Sequence, residues 1–268
     1  MNVVRRAGFA RERSASIRPI RRGPISAFLF FFLAGAGRPW RFHLGPLAFY
    51  ARYRDWVAVE EIALHDEYGF VNGVLDGKHA PRVVDLGAHI GLFSLFVLRS
   101  FPSAIIHSVE ASRDTYDILR LNSTINERPA WHVHWAAMWS QDGEVPFVDD
   151  QQASTGHHVA LSGSPAPVRV PALSLATLLR ERVGSDVDLL KVDIEGAEEA
   201  VLCEEPALLQ SVEAVTAELH PDRCDQQRVL RLFREAYDYV YTVKGRGSSK
   251  PLVIAARRPV NDPSLALL

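Results

Sequence analysis

Residues 82–91 read Arg82-Val-Val-Asp-Leu-Gly-Ala-His-Ile-Gly91, a short β-rich run that leads directly into a glycine turn. A helix-length apolar segment follows to about Arg99. A strand, a tight turn and a helix in this order are typical of a βαβ unit. The alternation continues downstream, so we predict a doubly wound, Rossmann-like α/β domain with a mostly parallel sheet over residues 81–258.

Further β-rich runs extend this sheet, with amphipathic segments between them as crossover helices. They cover Ala104–Val109, Trp131–Ala137, Val187–Val192 and Ala214–Leu219. Tyr239–Lys244 and Leu252–Ala256 flank a Gly/Ser turn, which predicts a closing antiparallel hairpin. Residues 259–268 are expected to form a tail beyond the domain.

Two segments depart from this alternation. Residues 140–172 are punctuated by Gly and Pro, which predicts an insertion on the substrate side of the site. After it, Ser174 is a predicted N-cap for a helix that starts at Leu175. Ahead of the sheet, residues 25–80 are predicted to form a helical cap.

Charge is spread unevenly over the chain of 268 residues, whose net charge is −2. Residues 1–24 contain seven arginines and one acidic residue, Glu12. We predict a disordered basic arm here, suited to weak contact with an anionic membrane surface. The acidic remainder is a poor match for a nucleic acid partner.

We predict a cytoplasmic protein. The apolar run over residues 25–37 is shorter than the roughly 20 residues that a membrane span needs. With arginines ahead of it the run resembles a secretory signal, but a packed or membrane-surface helix is the prediction. Cys203 and Cys224 are too few for a disulfide framework and fit a reducing compartment.

The glycine turn predicts a cofactor site, because ligands of open α/β sheets bind beyond the carboxyl ends of the strands. Gly87 and Gly91 let the backbone pass close to a ligand. Glu110 ends the next strand, where a carboxylate accepts hydrogen bonds from ribose hydroxyls.

The turn lacks the Gly-x-Gly-x-x-Gly pattern of a dinucleotide site, and Asp85 would repel a pyrophosphate. An acid there suits a cofactor with an ammonium and a sulfonium, so we predict S-adenosylmethionine rather than NAD. The predicted contacts are Asp85, Gly87, Ala88, His89, Gly91, Glu110, Ala137 and Asp193.

The predicted reaction centre follows the fourth and fifth strands. Strand side chains alternate, so Asp193 and Glu195 point to the same side, and His220 ends the neighbouring strand. A hydroxyl acceptor must lose its proton during methyl transfer, and imidazole suits that role near neutral pH. We predict His220 as general base, Asp193 as base or acceptor-orienting group, and Glu195 as a holder of acceptor hydroxyls. Lys191 is expected to neutralise a carboxylate. Glu195 and Glu198 could instead hold a divalent cation, but no tight ligand motif supports such a His/carboxylate site, so no metal is predicted.

Taken with Lys191-Val-Asp-Ile-Glu-Gly-Ala-Glu198 and Glu218-Leu-His220, the glycine turn resembles the FkbM family of methyltransferases over roughly residues 60–256. The resemblance implies a class I methyltransferase fold, S-adenosylmethionine, and O-methylation of a sugar, glycolipid or natural-product hydroxyl. The chain departs from the family pattern at His89, where Asn is common. It also departs at Ala176, where an acidic residue often follows the insertion.

Other functions stay open at this point. A methyltransferase acting on nitrogen or nucleic acid is disfavoured because the chain lacks an Asn/Asp-Pro-Pro-Tyr/Phe motif. A non-catalytic S-adenosylmethionine-binding protein would not need Asp193 and His220. An NAD-dependent oxidoreductase is weakened by the glycine pattern.

Overall fold

The computed structural model describes residues 38–149, 157–160, 168–184, 186–244 and 250–268. The predictions for the basic arm, residues 1–24, and for residues 25–37 fall outside these ranges. The first elements are strands β1 (Trp40–Leu44) and β2 (Leu47–Ala51), which pair as an antiparallel hairpin.

This hairpin corrects the prediction of an all-helical segment over residues 25–80. Gly45 takes a φ of +61° at the turn, and alternate apolar side chains, including Phe42 and Leu44, are buried. The side-chain amides of Asn122 and Asn126 hydrogen-bond the backbone of β2 at Tyr50 and Ala48. These contacts supply partners for a strand edge that would otherwise lack them.

The helical part of the predicted cap begins after the hairpin. Helix α1 covers Trp56–Ala58 and continues as π-helical turns over Val59–Leu64, and the short helix α2 covers Val71–Val74. The side chain of Tyr68 between them is buried and meets the ring of Phe93 edge-on at a centroid distance of 4.9 Å. The cap is therefore packed onto the first helix of the main domain.

The first half of the main domain follows the predicted order of strands and helices. Its elements are β3 (Arg82–Leu86), α3 (Leu92–Ser100), β4 (Ile105–Glu110), α4 (Arg113–Ile125) and β5 (Trp131–Trp135). The third strand ends two residues before its predicted end at Ala137. The three strands pair in parallel, with β3 next to β4 and β4 next to β5.

The predicted insertion contributes a second, smaller sheet. Its strands are β6 (Ala137–Met138), β7 (Gly143–Val148), β8 (His158–Val159) and β9 (Val168–Leu173), in the order β6-β9-β7-β8. Helix α5 then covers Leu175–Thr177 and continues over Leu178–Val183. Ser174 Oγ accepts a hydrogen bond from the Thr177 backbone N–H at 3.1 Å, which confirms the predicted N-cap.

The second half completes the main sheet. It comprises β10 (Leu189–Val192), α6 (Glu198–Leu202), β11 (Ala214–Glu218), α7 (Gln226–Ala236), β12 (Tyr239–Val243), β13 (Leu252–Ala256) and β14 (Leu265–Leu267). The β12–β13 hairpin is antiparallel, as predicted. Helix α6 ends at Leu202, and Pro206 starts a separate 3₁₀ turn. The prediction of a tail over residues 259–268 needs correction, because this segment contains β14, which pairs with β12.

The strand order of the main sheet is β14-β12-β13-β11-β10-β3-β4-β5. The chain runs from β3 outward to β5 and then returns to β10, on the other side of β3. The switch in strand order therefore lies between β3 and β10, where open α/β sheets bind their ligands. This is a class I methyltransferase-like α/β fold.

Apolar clusters cover both faces of the sheet because neighbouring strand residues point to opposite sides. Val83 belongs to a cluster with Phe93 and the N-terminal hairpin, and Val84 belongs to one with Leu178 and Phe233. Among the described residues, none of the helices combines the length and apolar character needed to cross a membrane.

Candidate active site

A cavity of about 490 Å³ opens at the carboxyl ends of β3, β4, β10 and β11. Its walls are the glycine turn after β3, the cap helix α1, the end of β10 and part of the smaller sheet. Of the predicted cofactor contacts, Gly87, Ala88, His89, Glu110, Ala137 and Asp193 line this cavity. The switch in strand order therefore has a pocket of ligand size.

The glycine turn lies very close to the end of β10. Gly87 has a φ of +70°, and a Cβ built there would come within 1.7 Å of the Asp193 carbonyl oxygen. No residue with a side chain fits this approach without moving the turn or the strand. Gly87 therefore fixes one wall of the cavity.

Gly91 has a different role from the one predicted. Its φ is +89°, and a Cβ there would come within 2.8 Å of both Leu119 and Trp131 side chains. It does not line the cavity, because it packs against α4 and β5 instead. Gly91 is thus a packing position at the start of α3 and not a direct contact.

Glu110 ties the second strand to the glycine turn. Its Oε2 accepts a hydrogen bond from the His89 backbone N–H at 2.9 Å, and its Oε1 accepts one from the Ser112 N–H at 2.8 Å. His89 has a φ of +53°, a left-handed conformation that this contact stabilises. Burial raises the pKa of Glu110 to about 7, although these donors oppose the rise. Each carboxylate oxygen retains a lone pair for a ligand hydroxyl.

Asp85 does not face the cavity, which corrects its prediction as a cofactor contact. The side chain is fully buried, accepts a hydrogen bond from Ser94 Oγ at 2.7 Å and lies 3.4 Å from Lys191 Nζ. Burial raises the pKa of Asp85 and the lysine charge opposes this effect. Asp85 lies behind the cavity wall and positions the Lys191 side chain through their ion pair.

Lys191 connects the glycine turn to the end of β10. Its Nζ donates to the Gly87 carbonyl at 2.8 Å and lies 3.5 Å from Asp193 Oδ2. Burial acts to lower the pKa of this lysine, but the charges of Asp193 and Asp85 outweigh burial and raise it. The expectation that Lys191 neutralises a carboxylate agrees with these contacts.

His220 lies between two carboxylates beneath the cavity floor. Its Nδ1 lies 2.9 Å from Glu198 Oε1, and its Nε2 lies 3.1 Å from Glu195 Oε2. Burial acts to lower the pKa of His220, but the adjacent carboxylates of Glu195 and Glu198 raise it to about 10. The imidazole is 1% exposed, and Glu195 stands between it and the cavity.

This arrangement does not favour His220 as the general base, because the imidazole does not line the cavity. An acceptor in the cavity meets Asp193 and Glu195 first, whose side chains are 28% and 19% exposed. Glu195 has a φ of +51°, so its backbone leaves the extended geometry assumed in the sequence argument. Asp193 and Glu195 nevertheless both line the cavity.

Sequence reasoning missed three charged residues of the cavity wall. They are Glu61 and Glu67 from the cap and Lys250, which lies 3.3 Å from Glu195 Oε2. No motif marks them, because each comes from a segment whose position depends on packing against the sheet.

The strand order, the glycine turn and the buried Glu110 are those of a class I methyltransferase-like fold. The family profile described as the methyltransferase FkbM domain matches residues 85–242, more than half of the chain. The chain therefore belongs to the FkbM methyltransferase family.

Individual relatives match at lower identity. The methyltransferase sdnD of Sordaria araneosa is 29% identical over 46% of this chain and 59% of its own length. The 31-O-demethyl-FK506 methyltransferase FkbM of Streptomyces tacrolimicus is 25% identical over 52% of this chain and 65% of its own length. The match thus spans less than two thirds of each relative.

Among solved structures, the N-terminal domain of EvdMO1 with SAH bound is similar at a TM-score of 0.44. The identity is 14%, over 72% of this chain and 80% of that one. The METTL16 methyltransferase domain matches at a TM-score of 0.47 and 11% identity, over 73% of this chain and 68% of that one.

Proposed function

We propose that this protein transfers the methyl group of S-adenosylmethionine to a hydroxyl of a sugar, glycolipid or natural-product acceptor. The observation that carries the proposal is one cavity lined both by the glycine turn with Glu110 and by Asp193 with Glu195. One end suits a ribose and the other suits a hydroxyl-bearing acceptor.

In this proposal the turn and Glu110 hold the cofactor. Gly87 keeps the backbone close enough for a ligand to lie against it, and the lone pairs of Glu110 accept from the ribose hydroxyls. Lys191 keeps the turn and Asp193 in fixed relation. When bound, the cofactor supplies an electrophilic methyl group.

Asp193 and Glu195 act on the acceptor. Asp193 replaces His220 as the group that accepts the hydroxyl proton, because its carboxylate faces the cavity and the imidazole does not. Glu195 and Lys250 hold neighbouring polar groups of the acceptor through a carboxylate and an ammonium. Fixing an acceptor oxygen at attack distance supplies a large share of the rate in bimolecular transfers.

Two further points support a hydroxyl acceptor of small size. A cavity of about 490 Å³ is in the range of small-molecule sites. One relative bears the name 31-O-demethyl-FK506 methyltransferase, which describes an oxygen acceptor for that protein. We place the reaction in the cytoplasm, where S-adenosylmethionine is available.

The test is incubation of the full chain with S-adenosylmethionine carrying a ¹³C-methyl group, with cell extracts and with defined glycosides and polyketides. We expect labelled methyl ethers, identified by the ¹³C shift of the methyl carbon. Asp193→Asn should lose this product, and Glu60→Gln, an exposed carboxylate away from the cavity, should retain it. Labelled methyl only on nitrogen, or in nucleic acid, would overturn the proposal.

A further inference from the structure

Three donor atoms converge at the cavity floor and directly beneath it. One oxygen each of Asp193 and Glu195 and one ring nitrogen of His220 all lie within 4.8 Å of one another. Asp193 and Glu195 follow β10, and His220 follows β11, so adjacent parallel strands bring the three together. We propose that Asp193, Glu195 and His220 bind one divalent metal ion. This replaces the sequence-based expectation of no metal.

The histidine is oriented as a metal ligand would be. Glu198 is fully buried, and its Oε1 accepts the Gly196 backbone N–H at 3.0 Å and lies 2.9 Å from His220 Nδ1. A carboxylate on one ring nitrogen fixes the tautomer and directs the other nitrogen to the metal. The other nitrogen here is Nε2, which points towards Glu195.

Nε2 itself lacks an aligned hydrogen bond. It is buried, and among the described residues no partner meets hydrogen-bond geometry with it, although Glu195 Oε2 lies 3.1 Å away. The interaction of this nitrogen with Glu195 is therefore an ion pair rather than an aligned hydrogen bond. A cation shared with Glu195 and Asp193 would satisfy this nitrogen.

The local charge also favours a cation. Five carboxylates surround the floor, and two ammonium groups oppose them. The carboxylates are those of Asp85, Asp193, Glu195, Glu198 and Glu218, and the ammonium groups are those of Lys191 and Lys250. Even with a protonated imidazole the carboxylates outnumber the cationic groups, and this excess of negative charge in a partly buried site is unfavourable. A divalent ion that takes the place of the imidazole proton would reduce the excess.

The three donor atoms need to move only slightly closer together to bind one ion. Ligand atoms of Zn²⁺ lie about 2.0–2.2 Å from the ion, so the widest pairs must close by roughly 1 Å or more. The two carboxylate side chains are partly exposed and have room to move, while His220 is held by Glu198. An imidazole with two carboxylates suits a first-row ion such as Mn²⁺ or Zn²⁺. If the proposed O-methylation holds, this ion would position the acceptor oxygen, and the Asp193 oxygen that does not bind the ion would accept the hydroxyl proton.

The experiment is a Mn²⁺ titration of the full chain without cofactor, followed by loss of the free Mn²⁺ EPR signal. We expect one ion per chain, and nitrogen modulation from one imidazole in the electron spin echo of bound Mn²⁺. Asp193→Asn and Glu195→Gln should weaken binding at least tenfold, and His220→Gln should also abolish the nitrogen modulation. The matched controls Glu199→Gln and Asp222→Asn should bind as the unmodified chain does.

Lys250→Met tests the metal site independently, because it removes an ammonium group that competes with the metal ion for the Glu195 carboxylate. We expect it to bind Mn²⁺ more tightly. S-adenosylhomocysteine binding, measured in parallel, reports folding and keeps this proposal separate from the proposed function. Intact cofactor binding with no Mn²⁺ or Zn²⁺ binding at 1:1 stoichiometry would overturn the metal site and leave methyl transfer standing. Metal binding that all the variants retain would overturn it as well.

Discussion

Glu110→Gln should weaken S-adenosylhomocysteine binding and remove its pH dependence. Both Glu110 oxygens face backbone N–H groups, those of His89 and Ser112. A glutamine can place its carbonyl oxygen against only one of them, so its own N–H₂ must face the other donor. The substitution therefore loses the carboxylate and also strains the turn.

The magnitude follows from the lost charged hydrogen bonds. A hydrogen bond to a charged group contributes about 1.5–3 kcal/mol, which corresponds to roughly 10- to 150-fold in affinity. Ribose hydroxyls donate to the carboxylate and favour its charged form, so ligand binding should lower the pKa of Glu110 from about 7. Binding then releases a proton below pH 7.

The direction in which cofactor affinity changes with pH follows from this lowering of the Glu110 pKa. Affinity should rise with pH by up to about tenfold per unit and level off above pH 7. Because burial raises the pKa of Glu110 in the folded protein, its ionisation also costs stability. Stability should therefore fall as pH rises from about 4.5 towards 7, and Glu110→Gln should lack that component.

Calorimetry at pH 5.5, 6.5, 7.5 and 8.5, in buffers of different ionisation enthalpy, measures affinity and proton release together. Glu60→Gln, an exposed carboxylate on α1, is the control and should keep the unmodified pH profile. An affinity that is independent of pH in the unmodified chain, or unchanged in Glu110→Gln, would refute the role of Glu110.

Three further predictions concern the turn, the reaction centre and the basic arm. Gly87→Ala should reduce S-adenosylhomocysteine affinity at least tenfold in calorimetry, because its Cβ would meet the Asp193 carbonyl; affinity within twofold would contradict this. Asp193→Asn should lower methyl transfer by about 10²–10⁴ while cofactor affinity stays within a few-fold, and normal turnover would remove Asp193 from the base role. Deletion of residues 1–24 should leave cofactor affinity intact and abolish salt-sensitive binding to anionic vesicles; loss of cofactor affinity would show that the arm is structural.

The strands of the main sheet and the Ser174 cap could be predicted because they depend on local patterns. Val83 and Val84 belong to opposite faces of a buried strand, and Ser174 needs only a backbone N–H three residues away. The β1–β2 hairpin could not be predicted in the same way. Its edge depends on Asn122 and Asn126, more than 70 residues along the chain.

The same distinction between local sequence patterns and distant contacts applies to the residues of the candidate site. Gly87 and Glu110 stand at positions that the turn and the strand end determine, and they line the cavity. The environment of His220 instead depends on the left-handed Glu195 and on Glu198, which close around the ring across a loop. Residue spacing predicted that these groups converge at one edge, but it could not show which of them faces the cavity.

A crystal structure of the chain with S-adenosylhomocysteine tests the central claim most directly. The account predicts the ligand in the cavity between β3 and β10, with ribose hydroxyls on the Glu110 carboxylate and the sulfur facing Asp193. A ligand bound elsewhere, or a ribose out of hydrogen-bond reach of Glu110, would contradict it.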